Sequence, residues 1–250
     1  MDPCALNDFF SPAQRARFLE AVSKRRSVRS YKSGPDLEQL GALNFAAARV
    51  CLPGIRIEIS EMPPELLFRR LPLVGGVSGT ERFAAIIADM TAPHAELHAG
   101  ISGEAFILEA TALGLGTCWV ASFRRKEVVL PLGEHEKVLA VTPLGISNEV
   151  NAGRRRKKLN EICAGDPASW PLWAYHAAEC VRQAPSAVNL QPWRLAYAGR
   201  TLVLNKAKMG TLLDMCIALL HMSLGAGEKP HEIQWGEGNE IAALVAEDET

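Results

Sequence analysis

Two closely spaced prolines set the strongest limit on how this chain can fold. They are Pro185 and Pro192, the second and ninth residues of the stretch Ala-Pro-Ser-Ala-Val-Asn-Leu-Gln-Pro-Trp at residues 184–193. This stretch directly follows a helical pattern. Proline fixes φ and lacks an amide hydrogen, so the helix must end here. Ser186, Asn189 and Gln191 can present a hydroxyl and two amides to a planar heterocycle. The same composition is also typical of an ordinary helix-to-strand loop with Asx- or Ser-type turns.

The overall composition indicates a globular chain without a dedicated polyanionic or lipid partner. Its 250 residues suffice for one large domain or two small ones, and 48% are hydrophobic, enough for a sizeable core. The formal net charge is −1, with both signs spread along the chain. This balance argues against a protein devoted to nucleic acid or to a membrane surface.

The remaining composition signals predict a soluble, reduced, cytoplasmic protein. Residues 1–10 lack a basic segment followed by an apolar run, and no apolar run is long enough to span a bilayer. The six cysteines form no CxxC pair, which favours buried thiols over a disulfide framework or zinc. His94 and His98 are spaced as an i,i+4 pair, but no further ligand set completes a metal site, so we expect none.

Hydrophobic periodicity predicts an α+β fold with a pattern that restarts after residue 150. The predicted helices cover residues 11–24, 36–50, 92–114, 170–183 and 213–224. The predicted strands cover residues 55–59, 83–88, 137–146, 194–197, 201–204 and 241–245.

The restart suggests two related halves. Ala46–Val50, a Pro-Gly loop and a strand parallel Ala177–Val181, a Pro-rich loop and a strand. We therefore predict a first half at 1–153 and a shorter second half at 154–250, fused as an intramolecular pseudo-dimer. Two α+β segments that look alike by chance remain the alternative.

Three further stretches carry groups that suit an anionic ligand. Arg25-Arg26-Ser27-Val28-Arg29 places three guanidinium groups and a hydroxyl together, although a solvated basic helix end looks the same. Leu113–Ser122 contains Gly-Leu-Gly, which permits close backbone approach but is alone typical of a helix C-cap. Arg154–Lys158 is a run of five basic residues that fits a solvated linker equally well.

Taken together, these motifs resemble the nitroreductase-like FMN flavoproteins. Residues 184–193 match the family's APSxxNxQPW loop and residues 114–119 match GLGTCW. The arginine stretch resembles RRSVRxF, with Tyr31 at the position of the Phe. The run at 154–158 is similar to the family's RKPL segment. Within the family, the chain resembles the single-chain, internally duplicated "putative TM nitroreductase" branch. The resemblance implies mixed and antiparallel sheets flanked by helices.

The resemblance also implies a set of FMN-binding residues. Basic and hydroxyl groups would hold the phosphate and the pyrimidine edge, and the segment after the glycines would run beside flavin N5, offering it a backbone N–H. The implied residues are Arg25, Arg26, Ser27, Arg29, Trp119, Val120, Ala121, Ser122, Arg156, Lys157, Pro185, Ser186, Asn189 and Gln191. No catalytic side chain is expected, because the chemistry of this family is centred on the flavin.

The distribution of these motifs predicts one FMN per chain. The arginine cluster and the glycine loop fall in the first half and the proline-bounded loop in the second, while the counterpart of each is degenerate. The internal interface would allow the chain to act as a monomer.

The implied function is an NAD(P)H oxidoreductase. By a ping-pong scheme it would pass hydride through flavin N5 to a nitroaromatic, quinone or enone. A flavin-binding sensor or carrier without turnover, and oxygen-dependent flavin chemistry, are the alternatives.

Overall fold

In the computed structural model, the chain divides into two compact units. The structure describes residues 9–69, 76–149, 155–207, 209–227 and 231–246. One unit, the central unit, comprises Lys24–Arg154. The other, the terminal unit, comprises Met1–Ser23 together with Arg155–Thr250.

The central unit is built on a three-stranded antiparallel sheet. Its strands and helices are β1 (Tyr31–Ser33), α2 (Leu37–Val50), β2 (Ile55–Glu61), α3 (Pro64–Leu67), β3 (Arg82–Asp89), α4 (Ala95–Ala112), β4 (Glu136–Pro143) and β5 (Ile146–Ser147). Strand β3 lies between β2 and β4, and β1 pairs with β5 as a separate antiparallel pair. The first helix of the chain, α1 (Pro12–Lys24), precedes this set and belongs almost entirely to the terminal unit.

Strand β3 forms the centre of this sheet because its side chains are apolar on both faces. Every residue from 83 to 88 is at most 1% exposed. One face packs against a cluster that includes Leu67, Phe123 and Val141. Helix α4 packs on β3 as well, with Gly103 against Ile86, and it is buried along most of its length. A helix buried in such a core is expected to be mainly apolar, and α4 is, apart from a few buried polar residues that include Glu104 and Glu109.

The terminal unit contains a five-stranded sheet and a pair of packed helices. After α1 its elements are α5 (Leu159–Ile162), β6 (Cys163–Ala164), α6 (Leu172–Gln183), β7 (Trp193–Ala198), β8 (Thr201–Lys206), α7 (Leu212–Gly225), β9 (His231–Trp235) and β10 (Glu240–Ala246). The strand order is β6-β7-β8-β10-β9. Only the β6–β7 pair is parallel among the described strands of this sheet.

The predicted α+β class is confirmed, although the short elements β1, α3, α5 and β6 were not predicted and some predicted bounds differ. The predicted strand 137–146 is interrupted after Pro143, and the chain turns at Gly145 to pair β5 with β1. A Cβ on Gly145 would lie 2.3 Å from the carbonyl oxygen of Ser33, so this close approach requires glycine. Strand β9 was not predicted, although it pairs with β10 over five residue pairs.

Helix α4 is shorter than the predicted 92–114. His94 precedes it with a left-handed φ of 59°, and Gly114 follows it with φ of 79°. A left-handed residue cannot continue a right-handed helix, so these two positions delimit the element. The predicted start of α1 is confirmed: Ser11 Oγ accepts from the backbone N–H of Gln14, and Pro12 is the first helical residue.

In the described part of the chain, none of the helices combines the length and the apolar character needed to cross a bilayer.

Substitution of Gly103 is expected to destabilise the protein, whereas the same change at Gly41 is not. A Cβ on Gly103 would lie 2.3 Å from Trp119 Cη2, and overpacking of this kind costs about 1–3 kcal/mol. Gly41 lies in α2 with nothing within 4 Å of the corresponding Cβ, and Gly41→Ala should stabilise by about 0.4–1 kcal/mol. Urea midpoints of Gly103→Ala and Gly41→Ala measure both; equal effects would contradict this account of the α4 packing.

Acid should remove a stabilising contact between β2 and β4. Arg56 Nε lies 2.7 Å from Glu136 Oε1 and Nη2 lies 2.8 Å from Oε2, while Glu58 also contacts this guanidinium. The hydrogen bonds from Arg56 and from the Gly133 N–H lower the pKa of Glu136 from 4.5 to about 2. A depressed folded-state pKa stabilises the native state above pH 4.5, and this contribution is lost as the pH falls toward 2.

In urea titrations, the free energy of unfolding of wild type should therefore exceed that of Arg56→Gln by less at pH 3 than at pH 6. The difference itself should be modest, because both side chains of this pair are partly exposed. Arg82→Gln, which breaks the more exposed contact with Glu61, serves as the control and should show a weaker pH dependence. A constant wild-type advantage over Arg56→Gln across this range would refute the assignment.

Candidate functional site

The arginine cluster and the glycine loop lie side by side within the central unit. Val28 donates its backbone N–H to the Thr117 carbonyl at 2.7 Å, and Ser27 and Thr117 form a parallel β-bridge. The Val28 side chain fills the space beside Gly116, where a Cβ would come within 2.9 Å of it. Two motifs that are distant in sequence thus form one backbone ladder.

A carboxylate that the sequence analysis did not single out holds the other end of the arginine segment. Glu149 Oε1 accepts the backbone N–H groups of Arg29 at 2.7 Å and Ser30 at 2.9 Å. The guanidinium of Arg26 donates to the Glu149 carbonyl at 3.4 Å. Within the described residues, no carboxylate lies at salt-bridge distance from Arg26 or Arg29. Both residues are partly exposed.

Arg25 differs from its neighbours because its side chain is only 1% exposed. Its Nε lies 3.7 Å from Glu104 Oε1, and the Glu104 side chain is 0% exposed. Among the described residues, Arg25 Nε and Nη2 have no hydrogen-bond partner. Burial lowers the pKa of Arg25 and the charge of Glu104 opposes this shift, so the group stays cationic. A buried guanidinium with unused donors is suited to an anion.

The segment after the glycines is fixed at one end and open at the other. Trp119 Nε1 donates to Glu104 Oε2 at 2.6 Å, and its ring lies over Gly103. Val120 exchanges two backbone hydrogen bonds with Val141, at 2.9 and 3.0 Å. Ala121 and Ser122 follow as exposed residues.

This geometry limits which backbone N–H groups of the segment could donate to a ligand. The Val120 N–H is engaged by Val141 and cannot also point to a ligand. In the described ranges, neither the Ala121 nor the Ser122 backbone N–H has an acceptor. Of the three residues Val120–Ser122, only Ala121 and Ser122 therefore keep a backbone N–H that could be offered to a ligand.

The proline-bounded loop lies in the terminal unit and contains unusual backbone angles. Val188, Asn189 and Gln191 have φ of 44°, 60° and 48°. Asparagine tolerates this region, but a β-branched residue rarely adopts it. Ser186 Oγ accepts the Gln191 N–H at 2.8 Å, and Asp214 Oδ1 accepts the Ala187 N–H at 2.8 Å. The strained conformation is therefore held by polar contacts.

The second basic run packs directly on this loop, so two separately predicted groups come together. Arg156 donates to Asn189 Oδ1 and to the Gln183 carbonyl, each at 2.8 Å. Lys157 donates its backbone N–H to Gln191 Oε1 at 2.9 Å and its Nζ to the Gln191 carbonyl at 3.0 Å. Both amide oxygens thus already accept a hydrogen bond from the basic run.

The remaining predicted residues are placed as follows. Gln191 and Pro185 are buried, whereas Ser186 and Asn189 are half-buried. Arg154, which begins the predicted basic run, lies outside the described residues.

Sequence reasoning missed Glu104, Glu149 and Asp214. The sequence could have indicated Glu104, because it is a charged residue within the mainly apolar helix α4. It could also have indicated Asp214, because Thr211-x-x-Asp214 is a capping box at the start of α7. No such indication existed for Glu149, because its partners are backbone N–H groups.

A family model described as "Putative TM nitroreductase" matches residues 17–226. The chain therefore belongs to this nitroreductase family, as predicted. Among curated proteins, no significant match is found.

A solved structure that covers nearly the whole chain shows the same fold, and others align with part of it. A "putative nitroreductase" from Thermotoga maritima is 23% identical, with a TM-score of 0.62 over 92% of this chain and 93% of the other. An FMN-dependent nitroreductase from Clostridium difficile is 23% identical, with a TM-score of 0.45 over 55% and 91%. A nitroreductase with bound FMN from Bacteroides fragilis is 15% identical, with a TM-score of 0.43 over 56% and 94%.

Relieving the strain at Val188 should stabilise the protein. Val188 is 69% exposed, so Val188→Asn loses little packing. Because asparagine tolerates a left-handed φ, the free energy of unfolding should rise by about 1 kcal/mol. Val129 is 85% exposed and is not among the residues with positive φ. Val129→Asn should stay within about 0.5 kcal/mol of wild type in urea denaturation. Equal shifts for the two variants would show that Val188 carries no strain.

Proposed function

We propose that the protein is an FMN-dependent oxidoreductase that takes hydride from NAD(P)H and passes it to a small-molecule acceptor. The proposed acceptors are nitroaromatics, quinones or enones, and the two substrates would use the site in turn by a ping-pong scheme. Family membership supports the oxidoreductase class. The observation that carries the proposal is the ladder between Val28 and Thr117, which joins the arginine cluster to the glycine loop.

The arginine cluster fits the phosphate of FMN. Arg25 and Arg26 carry buried guanidinium nitrogens that have no partner among the described residues. Arg29 adds a partly exposed cation, and Ser27 lies in the ladder between them. Charge-assisted bonds from guanidinium groups suit a phosphate dianion better than neutral donors would. We therefore assign the phosphate to Arg25, Arg26, Ser27 and Arg29.

The segment Trp119–Ser122 is assigned to the ring of FMN. Trp119 is held by Glu104 and Val120 by Val141, and the exposed residues Ala121 and Ser122 follow, whose N–H groups have no acceptor among the described residues. A backbone donor aimed at flavin N5 would stabilise the negative charge that develops on reduction. This role requires a fixed segment, which the Val120–Val141 pairing supplies.

The proline-bounded loop and the second basic run are assigned to the same cofactor. In this proposal Pro185, Ser186, Asn189 and Gln191 contact FMN, and Arg156 and Lys157 orient the two amides as well as adding positive charge. The contacts of Arg156 with Asn189 and of Lys157 with Gln191 support a preset arrangement. We propose one FMN per chain, and that residues 1–153 and 154–250 derive from one duplicated half.

When bound, FMN supplies the hydride-accepting and hydride-donating atom, N5. The chain supplies binding, orientation and charge. Positive side chains would hold the phosphate and the Trp119–Ser122 segment would position the ring, and no side chain is assigned as a proton donor.

The visible spectrum of the purified chain tests this function. We expect a flavin spectrum, FMN as the released cofactor at one per chain, and anaerobic loss of flavin absorbance on addition of NADH or NADPH. A flavin that is not reduced would instead support a binding protein without turnover. Turnover that requires oxygen would support oxygen-dependent flavin chemistry, and a colourless chain that does not take up FMN would refute the proposal.

Removing one proposed phosphate contact should weaken FMN binding. A charge-assisted contact contributes about 1.5–3 kcal/mol, so Arg29→Gln should raise the Kd of FMN by about tenfold or more. Arg49→Gln is the matched control, because this arginine lies on α2 over the Phe45 ring. Fluorescence titration measures both variants, and equal Kd values for Arg29→Gln and wild type would remove Arg29 from the site.

A further inference from the structure

Glu104 contacts two of the proposed FMN-binding residues from inside the protein. It lies on α4 with a side-chain exposure of 0%. Its Oε1 lies 3.7 Å from Arg25 Nε, and its Oε2 accepts from Trp119 Nε1 at 2.6 Å. One buried carboxylate therefore faces the phosphate end of the proposed site through Arg25 and the ring end through Trp119.

The contact with Arg25 compensates its charge without satisfying its donors. A separation of 3.7 Å is too long for a hydrogen bond but short enough for strong attraction between buried charges. Arg25 Nε and Nη2 have no acceptor among the described residues. The guanidinium is thus held in place by Glu104 while its hydrogen-bonding capacity stays available.

Trp119 moderates this attraction. Its indole N–H donates a short hydrogen bond to the other oxygen of the same carboxylate. Such a bond withdraws negative charge from Glu104, so the field that Arg25 experiences depends on Trp119. The indole is itself confined by Gly103, the residue that precedes Glu104 on α4.

We propose that Glu104 is a positioning residue that sets how strongly Arg25 binds the phosphate of FMN. The carboxylate keeps Arg25 buried and charged when no phosphate is bound, and it competes with phosphate for the same cation. This inference rests on the proposed FMN site. Through Glu104, helix α4 would control how tightly the chain retains FMN and how strongly it prefers a flavin that carries a phosphate.

The test compares FMN with riboflavin, which carries the same ring and no phosphate. Glu104→Gln keeps the shape and the acceptor for Trp119 but removes the charge opposite Arg25. The ratio of the riboflavin Kd to the FMN Kd should therefore rise at least fivefold over wild type, measured by flavin fluorescence on the full chain stripped of cofactor. A purely structural role of Glu104 would change both Kd values together and leave the ratio constant.

Two further variants give independent readings. Trp119→Phe keeps an aromatic ring but removes the N–H, so Glu104 should attract Arg25 more strongly and the ratio should fall. Arg25→Gln should abolish the effect of Glu104→Gln, so that the double variant has the ratio of Arg25→Gln alone. Glu96→Gln, an exposed change on the same helix, is the control and should leave the ratio unchanged.

The outcomes separate this inference from the proposed function. An unchanged ratio in Glu104→Gln would overturn the inference while wild-type FMN binding still supported the function. If Glu104→Gln does not fold, an unchanged or increased ratio in Trp119→Phe would overturn it instead. A wild-type chain that binds neither flavin would overturn the proposed function and this inference together.

Discussion

The hydrogen bond from Val28 to the Thr117 carbonyl is the contact on which the arrangement of the central unit's candidate site depends. It joins the segment after α1 to the segment after α4, and the adjacent bridge between Ser27 and Thr117 extends the pairing. Gly116 allows the two backbones to come this close, because a Cβ there would collide with Val28. This ladder fixes the backbone of the arginine segment beside that of the glycine loop, and Glu104 adds a side-chain link between Arg25 and Trp119.

Each of the two units holds one feature that costs stability, together with contacts that compensate it. Arg25 is buried opposite Glu104, and the loop after α6 holds Val188 at a positive φ. Both features oppose stability unless the surrounding structure fixes them. In each unit the costly feature is held by polar neighbours, whereas strand β3 is apolar throughout residues 83–88.

The sequence predicted the fold class, the family and most elements, because these follow from periodicity and from motifs with a clear physical reading. It did not predict the break at Gly145, since the cause is the Ser33 carbonyl of a distant strand. It also did not predict that Asn189 and Gln191 accept from Arg156 and Lys157, because motif letters do not give side-chain direction. Buried partners such as Glu104 escape motif reasoning for the same reason.

The carboxylate of Asp214 connects the proline-bounded loop to the first turn of α7. It caps that helix through Thr211 and at the same time accepts the Ala187 N–H. If the Asp214 carboxylate moved away, both the contact with Ala187 and the contact with Thr211 would be lost. We therefore expect the loop to open and the first turn of α7 to fray together, as one cooperative event. In hydrogen exchange, the amide of Ala187 would then share the protection of the amide of Asp214, which donates to Thr211 Oγ1.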